Sequence, residues 1–157
     1  MTNLQSELEK LIRGLPEEQQ TAIAEAVRPI FKGQSWLPNA GPQTMALESE
    51  ADELFYGGEA GGGKTDLLIG AALSQHRRSL ILRRLNSEVD GLIDRAVEIV
   101  GHDRGLKRNP PARWKFPQQI IMFGGCQHLK DREKYRGVPK DLIAFDEVTN
   151  FLRDQYE

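Results

Sequence analysis

A glycine-rich segment of eight residues most constrains what this chain can fold into. Residues 58–65 read Gly-Glu-Ala-Gly-Gly-Gly-Lys-Thr, which fits the pattern G-x-x-x-x-G-K-[ST]. Glycines let the backbone curl until consecutive N–H groups point at a phosphate chain, and a helix N-terminus adds partial positive charge. The apolar run 54–56 predicts a buried strand before the segment, and residues 66–74 predict a helix after it. Strand, glycine loop and helix together predict a phosphate-binding P-loop in an α/β fold.

The loop supplies most of the candidate nucleotide-binding residues. They are Gly58, Glu59, Ala60, Gly61, Gly62, Gly63, Lys64 and Thr65. Lys64 has the reach to contact the β- and γ-phosphates, so it is also a candidate catalytic residue. The Thr65 hydroxyl is a candidate Mg²⁺ ligand. The alternative is a glycine-rich turn that carries an incidental lysine.

An apolar run that ends in two carboxylates follows further along the chain. Residues 142–147 read Leu-Ile-Ala-Phe-Asp-Glu. Continuous apolar residues are typical of a strand buried on both faces, and ligands bind beyond the carboxyl ends of such strands. Asp146 is therefore the candidate Walker B carboxylate that holds Mg²⁺, and Glu147 is the candidate base for a water that attacks the γ-phosphate. This signal is weak alone, but together with the P-loop it predicts an ATP- and Mg²⁺-binding hydrolase.

Two features narrow the type of nucleotide enzyme. A small-molecule kinase needs no activated water, so a second carboxylate at Glu147 favours hydrolysis. The sequence has no Asn-Lys-x-Asp motif for reading guanine, which argues against a GTPase.

The three histidines, His76, His102 and His128, lack metal-ligand spacing and are interpreted as surface residues.

Composition is that of an ordinary globular protein. The chain has 157 residues and a net charge of −2, and its single cysteine, Cys126, excludes an internal disulfide framework and suits a reducing compartment. The polar N-terminus lacks the apolar stretch of a signal peptide, and no apolar run approaches the ~20 residues that span a bilayer. A cytoplasmic location without membrane contact is the expectation.

Charge is distributed unevenly along the chain. Residues 1–60 hold 4 basic and 10 acidic side chains, whereas residues 76–115 hold 10 basic and 5 acidic ones. A basic middle region of this kind can contact nucleic acid. The alternative for any single arginine is a solvated position at the end of a helix or strand.

The apolar pattern predicts an α/β core preceded by a helical appendage. Residues 1–32 are predicted as a helical hairpin, residues 33–42 as a linker, and residues 43–157 as the α/β core that contains the P-loop. Besides the elements around the two motifs, the core is expected to contain a strand at 79–82, a helix from Asn86 or Ser87 to about Val100, a hairpin of 114–116 and 120–123, and a charged turn or short helix at 130–136.

Several segments, in their order and spacing, resemble the ATPase domain of the large terminase subunit of tailed bacteriophages. They are residues 41–43, 54–66, 80–84, 114–117, 134–137 and 141–147. The similarity runs from about residue 36 to the C-terminus. Terminases are motors that pump phage DNA into a procapsid and cut it with a separate C-terminal nuclease.

The resemblance implies a RecA-like P-loop core of the ASCE division with an incomplete parallel sheet. Gln43 would be the glutamine that reads adenine, although a solvated linker glutamine is an equal alternative. Lys64 and Thr65 would hold phosphate and Mg²⁺, and Asp146 and Glu147 would be the Walker B aspartate and the catalytic glutamate. The implied partners are double-stranded DNA, bound without sequence preference, the portal and the small terminase subunit, and the implied location is the bacterial host cytoplasm.

Two departures from the terminase pattern bear on activity. Some terminases carry an arginine inside the P-loop where this chain has Glu59, so the transition-state charge would come from Arg83, Arg84 or a neighbouring subunit. The chain ends at Glu157, so the coupling motif, the rest of the sheet and the nuclease are expected to be missing. Two other interpretations stay open: another P-loop ATPase, such as a helicase or RecA-like protein, and an inactive prophage remnant that binds nucleotide without turnover.

The last expectation concerns strand order. In ATPases with a catalytic glutamate after Walker B, the following strand inserts between the Walker A and Walker B strands, and the resemblance implies that arrangement here. Strands 54–56 and 143–145 are therefore expected to lie ~9–10 Å apart with nothing between them. Two unpaired edges of this kind favour aggregation or self-association, low stability and slow turnover.

Overall fold

The computed structural model describes residues 14–27, 36–59 and 61–156. The remainder of the predicted N-terminal hairpin and the first residues of the predicted linker lie outside these ranges. The chain divides into two compact units, Met1–Phe55 and Tyr56–Glu157. This division falls inside the predicted ATPase domain, and the predicted domain bounds stay a prediction.

Two helices are described in the first unit. Helix α1 spans Glu17–Val27 and helix α2 spans Pro42–Leu47. Helix α1 follows Pro16 and carries two glutamates in its first turn, where acidic groups interact favourably with the helix dipole. Helix α2 lies where the sequence predicts no helix. Neither of these, nor any other helix in the described part of the chain, is long and apolar enough to cross a membrane.

The second unit contains a five-stranded sheet of mixed direction. Its strands are β1 (Arg78–Arg83), β2 (Leu106–Lys107), β3 (Ala112–Lys115), β4 (Ile120–Gly125) and β5 (Leu142–Phe145). They lie in the order β2-β3-β4-β1-β5. Strand β1 runs parallel to β4 and β5, whereas β3 runs antiparallel to β2 and β4. The carboxyl ends of β1, β4 and β5 therefore meet at one edge of the sheet, which we call the carboxyl edge.

Both faces of the central strands β1 and β4 are covered. On one face, helices α3 (Lys64–Ser74) and α4 (Val89–Val100) pack against a core that includes Ile81 and Trp114. On the other face, Tyr135 packs with Leu80 and other apolar residues of β1 and β4. Successive residues of a strand point to opposite faces, so a strand covered on both sides is apolar throughout. This explains the continuous apolar run of β1.

The predicted strand at residues 54–56 is wrong. These residues belong to no strand, and Leu54 and Phe55 are 52% and 67% exposed. A strand forms only where its backbone N–H and C=O groups pair with an adjacent strand. Three apolar residues followed by two glycines do not indicate whether such a partner is present. The expectation of two facing strand edges therefore fails. Strand β5 does have only β1 beside it in the described sheet, and Ile143 on β5 is 55% exposed.

The other elements predicted for the core are found close to their expected bounds. The helix after the P-loop is α3, the strand at 79–82 is β1, and the predicted hairpin is the antiparallel pair β3–β4. The helix predicted up to Val100 is α4, preceded by a 3₁₀ turn at Asn86–Glu88, and the charged segment is a 3₁₀ helix at Leu129–Tyr135. The structure adds β2 and a short helix α5 (Arg153–Tyr156). The predicted α/β class is thus confirmed, with a sheet of mixed rather than parallel direction.

Candidate functional site

The glycine-rich loop leads directly into helix α3. Gly61 and Gly63 have φ angles of 83° and 67°, in the left-handed region where other residues are strained. The Gly62 N–H donates to the Glu59 carbonyl oxygen at 3.2 Å, which closes a tight turn inside the loop. Gly63 is the N-cap of α3, so the helix begins with Lys64. The loop therefore ends at a helix N-terminus, where backbone donors and the helix dipole favour an anion.

The ammonium group of Lys64 is held by the loop itself. Its Nζ donates to the carbonyl oxygens of Gly58 and Glu59 at 2.9 and 2.6 Å. Hydrogen bonds from an ammonium group to charged oxygens are stronger than those to neutral carbonyls. Lys64 is therefore placed to exchange these two contacts for contacts with a phosphate.

Asp146 is the centre of a buried polar cluster at the carboxyl edge. The residue is 3% exposed. Thr65 Oγ1 lies 3.2 Å from its Oδ1 and 3.1 Å from its Oδ2. Arg83 donates to Oδ2 from Nε at 2.9 Å and from Nη2 at 2.8 Å. Helix α3, strand β1 and the residue after β5 therefore converge on one carboxylate, that of the predicted Walker B aspartate, next to the end of the glycine-rich loop.

Glu147 lies next to Asp146 in the chain but in a different environment. Its backbone is left-handed, with φ 57° and ψ 50°, and it is the one non-glycine residue with positive φ in the described ranges. Its side chain is 47% exposed, and Oε2 accepts a hydrogen bond from Asn150 Nδ2 at 3.0 Å. Its Oε1 lies 4.0 Å from Arg83 Nη2. The two adjacent carboxylates are thus separated into a buried paired group and a solvent-facing one.

The loop after β4 forms the third part of the carboxyl edge and is anchored by three side chains. Arg84 Nη1 and the buried Gln155 Nε2 donate to the Cys126 carbonyl oxygen at 3.2 and 2.7 Å. The Tyr135 hydroxyl donates to the Gly125 carbonyl oxygen at 2.8 Å. Burial raises the pKa of Tyr135 to about 12, so the hydroxyl keeps its proton at neutral pH. These contacts anchor the end of β4 and the loop that follows it.

An ion pair joins the first turn of α3 to α4. Arg95 Nε and Nη2 donate to the two carboxylate oxygens of Asp66 at 2.8 and 2.7 Å. The hydrogen bonds from Arg95 lower the pKa of the Asp66 carboxyl below its ordinary value. Both side chains are partly exposed, so solvent screens the pair and its contribution to stability is modest.

Thr65 and Asp146 fit a Mg²⁺ ion. Their hydroxyl and carboxylate oxygens approach to 3.1 Å, and Mg²⁺ prefers such hard oxygen ligands. Mg²⁺ is commonly held by one or two carboxylates, with water and substrate phosphates in the other positions. In the ranges the structure describes, no group of three or more His, Cys, Asp and Glu side chains is arranged to hold a metal. Thr65 and Asp146 supply few of the oxygen ligands that Mg²⁺ takes, so they suit a cation whose other positions are filled by water and phosphate.

Gln43 is a buried candidate residue with a backbone partner. Gln43 belongs to the first unit, where it is 3% exposed and its Oε1 accepts the Asn39 backbone N–H at 2.7 Å. It is therefore not the solvated linker residue of the alternative interpretation, and its role in reading adenine stays a prediction. Ala60 lies outside the described residues.

The contact between Arg83 and Asp146 is the feature that sequence reasoning misses. The sequence motifs identify Arg83 only as a candidate source of positive charge for the transition state. The signal lies in strand register: Leu82 of β1 pairs with Phe145 of β5, so the residues that follow them are neighbours. Finding it requires knowing that these two strands are adjacent, which the apolar pattern does not state.

Comparisons of this chain with protein-family models, with curated proteins and with solved structures give no match. The chemistry of the site follows from its own residues. It combines a lysine in a glycine loop at a helix N-terminus, a hydroxyl beside a buried carboxylate, and a second carboxylate that faces solvent.

Proposed function

We propose that this chain is an ATP-binding and ATP-hydrolysing P-loop domain of the kind found in the large terminase subunit that packages phage DNA. One observation carries the ATP part of the proposal. Thr65 and Asp146 are 81 residues apart in sequence and lie within hydrogen-bond distance. Binding a nucleotide with Mg²⁺ needs a hydroxyl after the loop lysine and a carboxylate from another strand at the same place. An incidental glycine-rich turn needs neither.

Each binding residue has a separate task in this proposal. The loop residues Gly58 to Gly63 supply backbone N–H donors to the phosphates, and Lys64 neutralises the β- and γ-phosphate charge. Thr65 and Asp146 hold Mg²⁺, which supplies further positive charge to the phosphates when it is bound. Gln43 is proposed to recognise the adenine edge through its amide.

Hydrolysis requires a base for the attacking water, and Glu147 is the candidate. The water oxygen bonds to the γ-phosphorus, the bond between that phosphorus and the bridging oxygen of ADP breaks, and Glu147 accepts the proton that the water loses. A base of this kind must be reachable by water and separate from the metal ligand. The half-exposed side chain of Glu147 beside the buried Asp146 satisfies both conditions.

The packaging part of the proposal rests on the order and spacing of the sequence motifs. Its partners are double-stranded DNA, a portal protein, a small terminase subunit and further copies of the chain, in the cytoplasm of a bacterial host. Exposed basic side chains support contact with DNA phosphates. Lys107 of β2 pairs in register with Arg113 of β3, so these two exposed side chains lie on the same face of the sheet. Lys115 lies two residues after Arg113 and therefore shares that face.

Nucleotide binding without turnover is the second candidate. The observation that favours it is the hydrogen bond from Asn150 to Glu147, which engages one oxygen of the proposed base. A base held in this way must release Asn150 before it can accept a proton through that oxygen. A helicase or RecA-like ATPase would share the nucleotide site and is separated from a packaging motor by whether double-stranded or single-stranded DNA stimulates turnover.

Titration calorimetry with MgATP tests the nucleotide site directly. Replacing Lys64 by alanine removes charge-assisted contacts worth about 1.5–3 kcal/mol, so ATP binding should weaken roughly 10- to 150-fold. Lys130→Ala, which removes an exposed lysine from the 3₁₀ helix after β4, is the matched control and should bind ATP like the wild type. Equal binding by the wild type and Lys64→Ala would show that the site is assigned wrongly.

A further inference from the structure

Arg83 supplies the positive charge that the buried carboxylate of Asp146 requires. Its Nε and Nη2 both donate to the same oxygen, Oδ2, at 2.9 and 2.8 Å. The Arg83 side chain is 19% exposed and that of Asp146 is 3% exposed, so solvent screens this pair far less than a surface ion pair. A charged group buried to this extent needs a partner of opposite charge, and Arg83 is that partner.

The two oxygens of Asp146 are occupied unequally. Oδ2 accepts both Arg83 nitrogens and also lies 3.1 Å from Thr65 Oγ1, whereas Oδ1 has Thr65 Oγ1 at 3.2 Å. A hydroxyl has one proton, so Thr65 donates to one of these oxygens at a time. A cation held by Thr65 and Asp146 would therefore share the carboxylate with the guanidinium group.

We propose that Arg83 is a built-in counter-ion that competes with a divalent cation for Asp146. Without metal the guanidinium neutralises the carboxylate, and a cation that arrives there meets like-charge repulsion. Glu147 Oε1 lies 4.0 Å from Arg83 Nη2 and offers the displaced guanidinium a second carboxylate. The protein alone therefore holds a divalent cation weakly, and the phosphates of a bound nucleotide tip the balance towards the metal. This inference deepens the proposed function, because it describes regulation of the metal ligands named there.

Arg84 provides a matched control for charge. Its Nη1 donates to the carbonyl oxygens of Cys126 and Gln127 on the neighbouring strand end. Replacing Arg84 by glutamine removes the same charge one residue along the chain and leaves the Arg83–Asp146 contact in place. A general electrostatic effect would alter both variants, whereas competition for the carboxylate alters only Arg83→Gln.

The test uses Mn²⁺ alone, without nucleotide, because loss of the paramagnetic resonance signal of free Mn²⁺ measures binding directly. Arg83→Gln should bind Mn²⁺ more tightly than the wild type, on the order of tenfold, since a positive charge beside the ion is removed. Arg84→Gln should match the wild type, and adding Asp146→Asn to Arg83→Gln should abolish the gain. Mn²⁺ binding by Arg83→Gln that is no tighter than wild type, or an equal gain in Arg84→Gln, overturns the proposal.

A second variant keeps the test decisive if Arg83→Gln fails to fold, which circular dichroism reports. Arg83→Lys keeps the charge but has one nitrogen instead of a two-nitrogen contact, so Mn²⁺ affinity should rise about threefold. No rise in the folded Lys variant overturns the proposal. A wild type that binds no MgATP, beside an Arg83→Gln that gains Mn²⁺ affinity, would refute the proposed function and support the counter-ion role.

Discussion

The glycine-rich loop and the carboxyl edge hold their charged groups in opposite ways. The Lys64 ammonium is held by two carbonyls of its own loop, five and six residues before it in the chain. The Asp146 carboxylate is held by Arg83 and Thr65, which are 63 and 81 residues away. The loop is solvent-exposed, whereas Asp146 is 3% exposed.

This difference separates a local device from a tertiary one. The contacts of Lys64 join residues of one loop, so a phosphate can replace them without disturbing the sheet. The contacts of Asp146 join α3, β1 and the end of β5, so their loss affects the packing of all three. The cationic half of the site is thus adaptable, and the acidic half is built into the fold.

The largest effect is expected at the exposed carboxylate beside the buried pair. In any form of the protein that hydrolyses ATP, Glu147→Gln should lower the rate about 10²- to 10⁴-fold, because a positioned base is lost while the metal ligand remains. Single-turnover hydrolysis measures the rate, and calorimetry should show unchanged ATP binding. Glu133→Gln, at an exposed glutamate of the 3₁₀ helix, is the control. Equal rates for the wild type and Glu147→Gln would remove Glu147 from the mechanism.

A stability measurement tests directly whether the two halves differ in their contribution to the fold. Asp146→Ala leaves Arg83 largely buried without its partner, so the free energy of unfolding should fall by about 3 kcal/mol. Lys64→Ala loses only contacts within an exposed loop and should change stability by less than about 0.5 kcal/mol. Urea denaturation of both variants measures the two values. Similar losses would mean that the loop is as much part of the fold as the acidic edge.

Two glycine variants test the left-handed backbone conformation of the loop. Gly63 is left-handed, so Gly63→Ala should lower the free energy of unfolding by about 1 kcal/mol and also weaken ATP binding. Gly91 lies exposed within α4, where a Cβ would meet nothing within 4 Å, so Gly91→Ala should raise stability by about 0.5–1 kcal/mol. Thermal denaturation should therefore show shifts of opposite sign. Shifts of the same sign would contradict the loop conformation.

The smallest effect concerns the ion pair at the start of α3. Hydrogen bonds from Arg95 lower the pKa of Asp66 in the folded protein, so this pair stabilises the fold above the ordinary aspartate pKa near 3.8. Its contribution is lost as the pH falls through the lowered folded-state value. Asp66→Asn should therefore cost about 0.5 kcal/mol at neutral pH, and the difference from wild type should shrink in strong acid. Urea titrations across this pH range check it, with Asp90→Asn, at an exposed aspartate in the first turn of α4, as control.

Elements with a strong pattern of their own could be predicted from the sequence. Four elements carry enough apolar residues to identify them: the helix after the glycine-rich loop, the strand ending at Arg83, the amphipathic helix α4 and the strand before Asp146. The loop with Lys64 could be found because its motif residues are contiguous in the sequence.

Features that depend on neighbours could not be predicted in this way. Residues 54–56 have the composition of a strand, but a strand forms only where another backbone pairs with it, and sequence composition does not report the neighbour. The Arg83–Asp146 contact depends on the adjacency and register of β1 and β5. Glycine-like geometry at Glu147 is hidden for a related reason, because residue type alone predicts ordinary backbone angles there.

The left-handed backbone of Glu147 has a consequence for how this chain can change over generations. At that conformation a glutamate is disfavoured relative to glycine by roughly 1–2 kcal/mol, and asparagine is tolerated better than most residues. Selection for stability alone would therefore favour glycine or asparagine at position 147, and the carboxylate would be lost. Stability and the proposed chemistry therefore make opposite demands on this position. A chain with glycine there would be more stable but would lack the proposed base, whereas glutamate keeps a strained turn at the point where the proposed reaction needs a base.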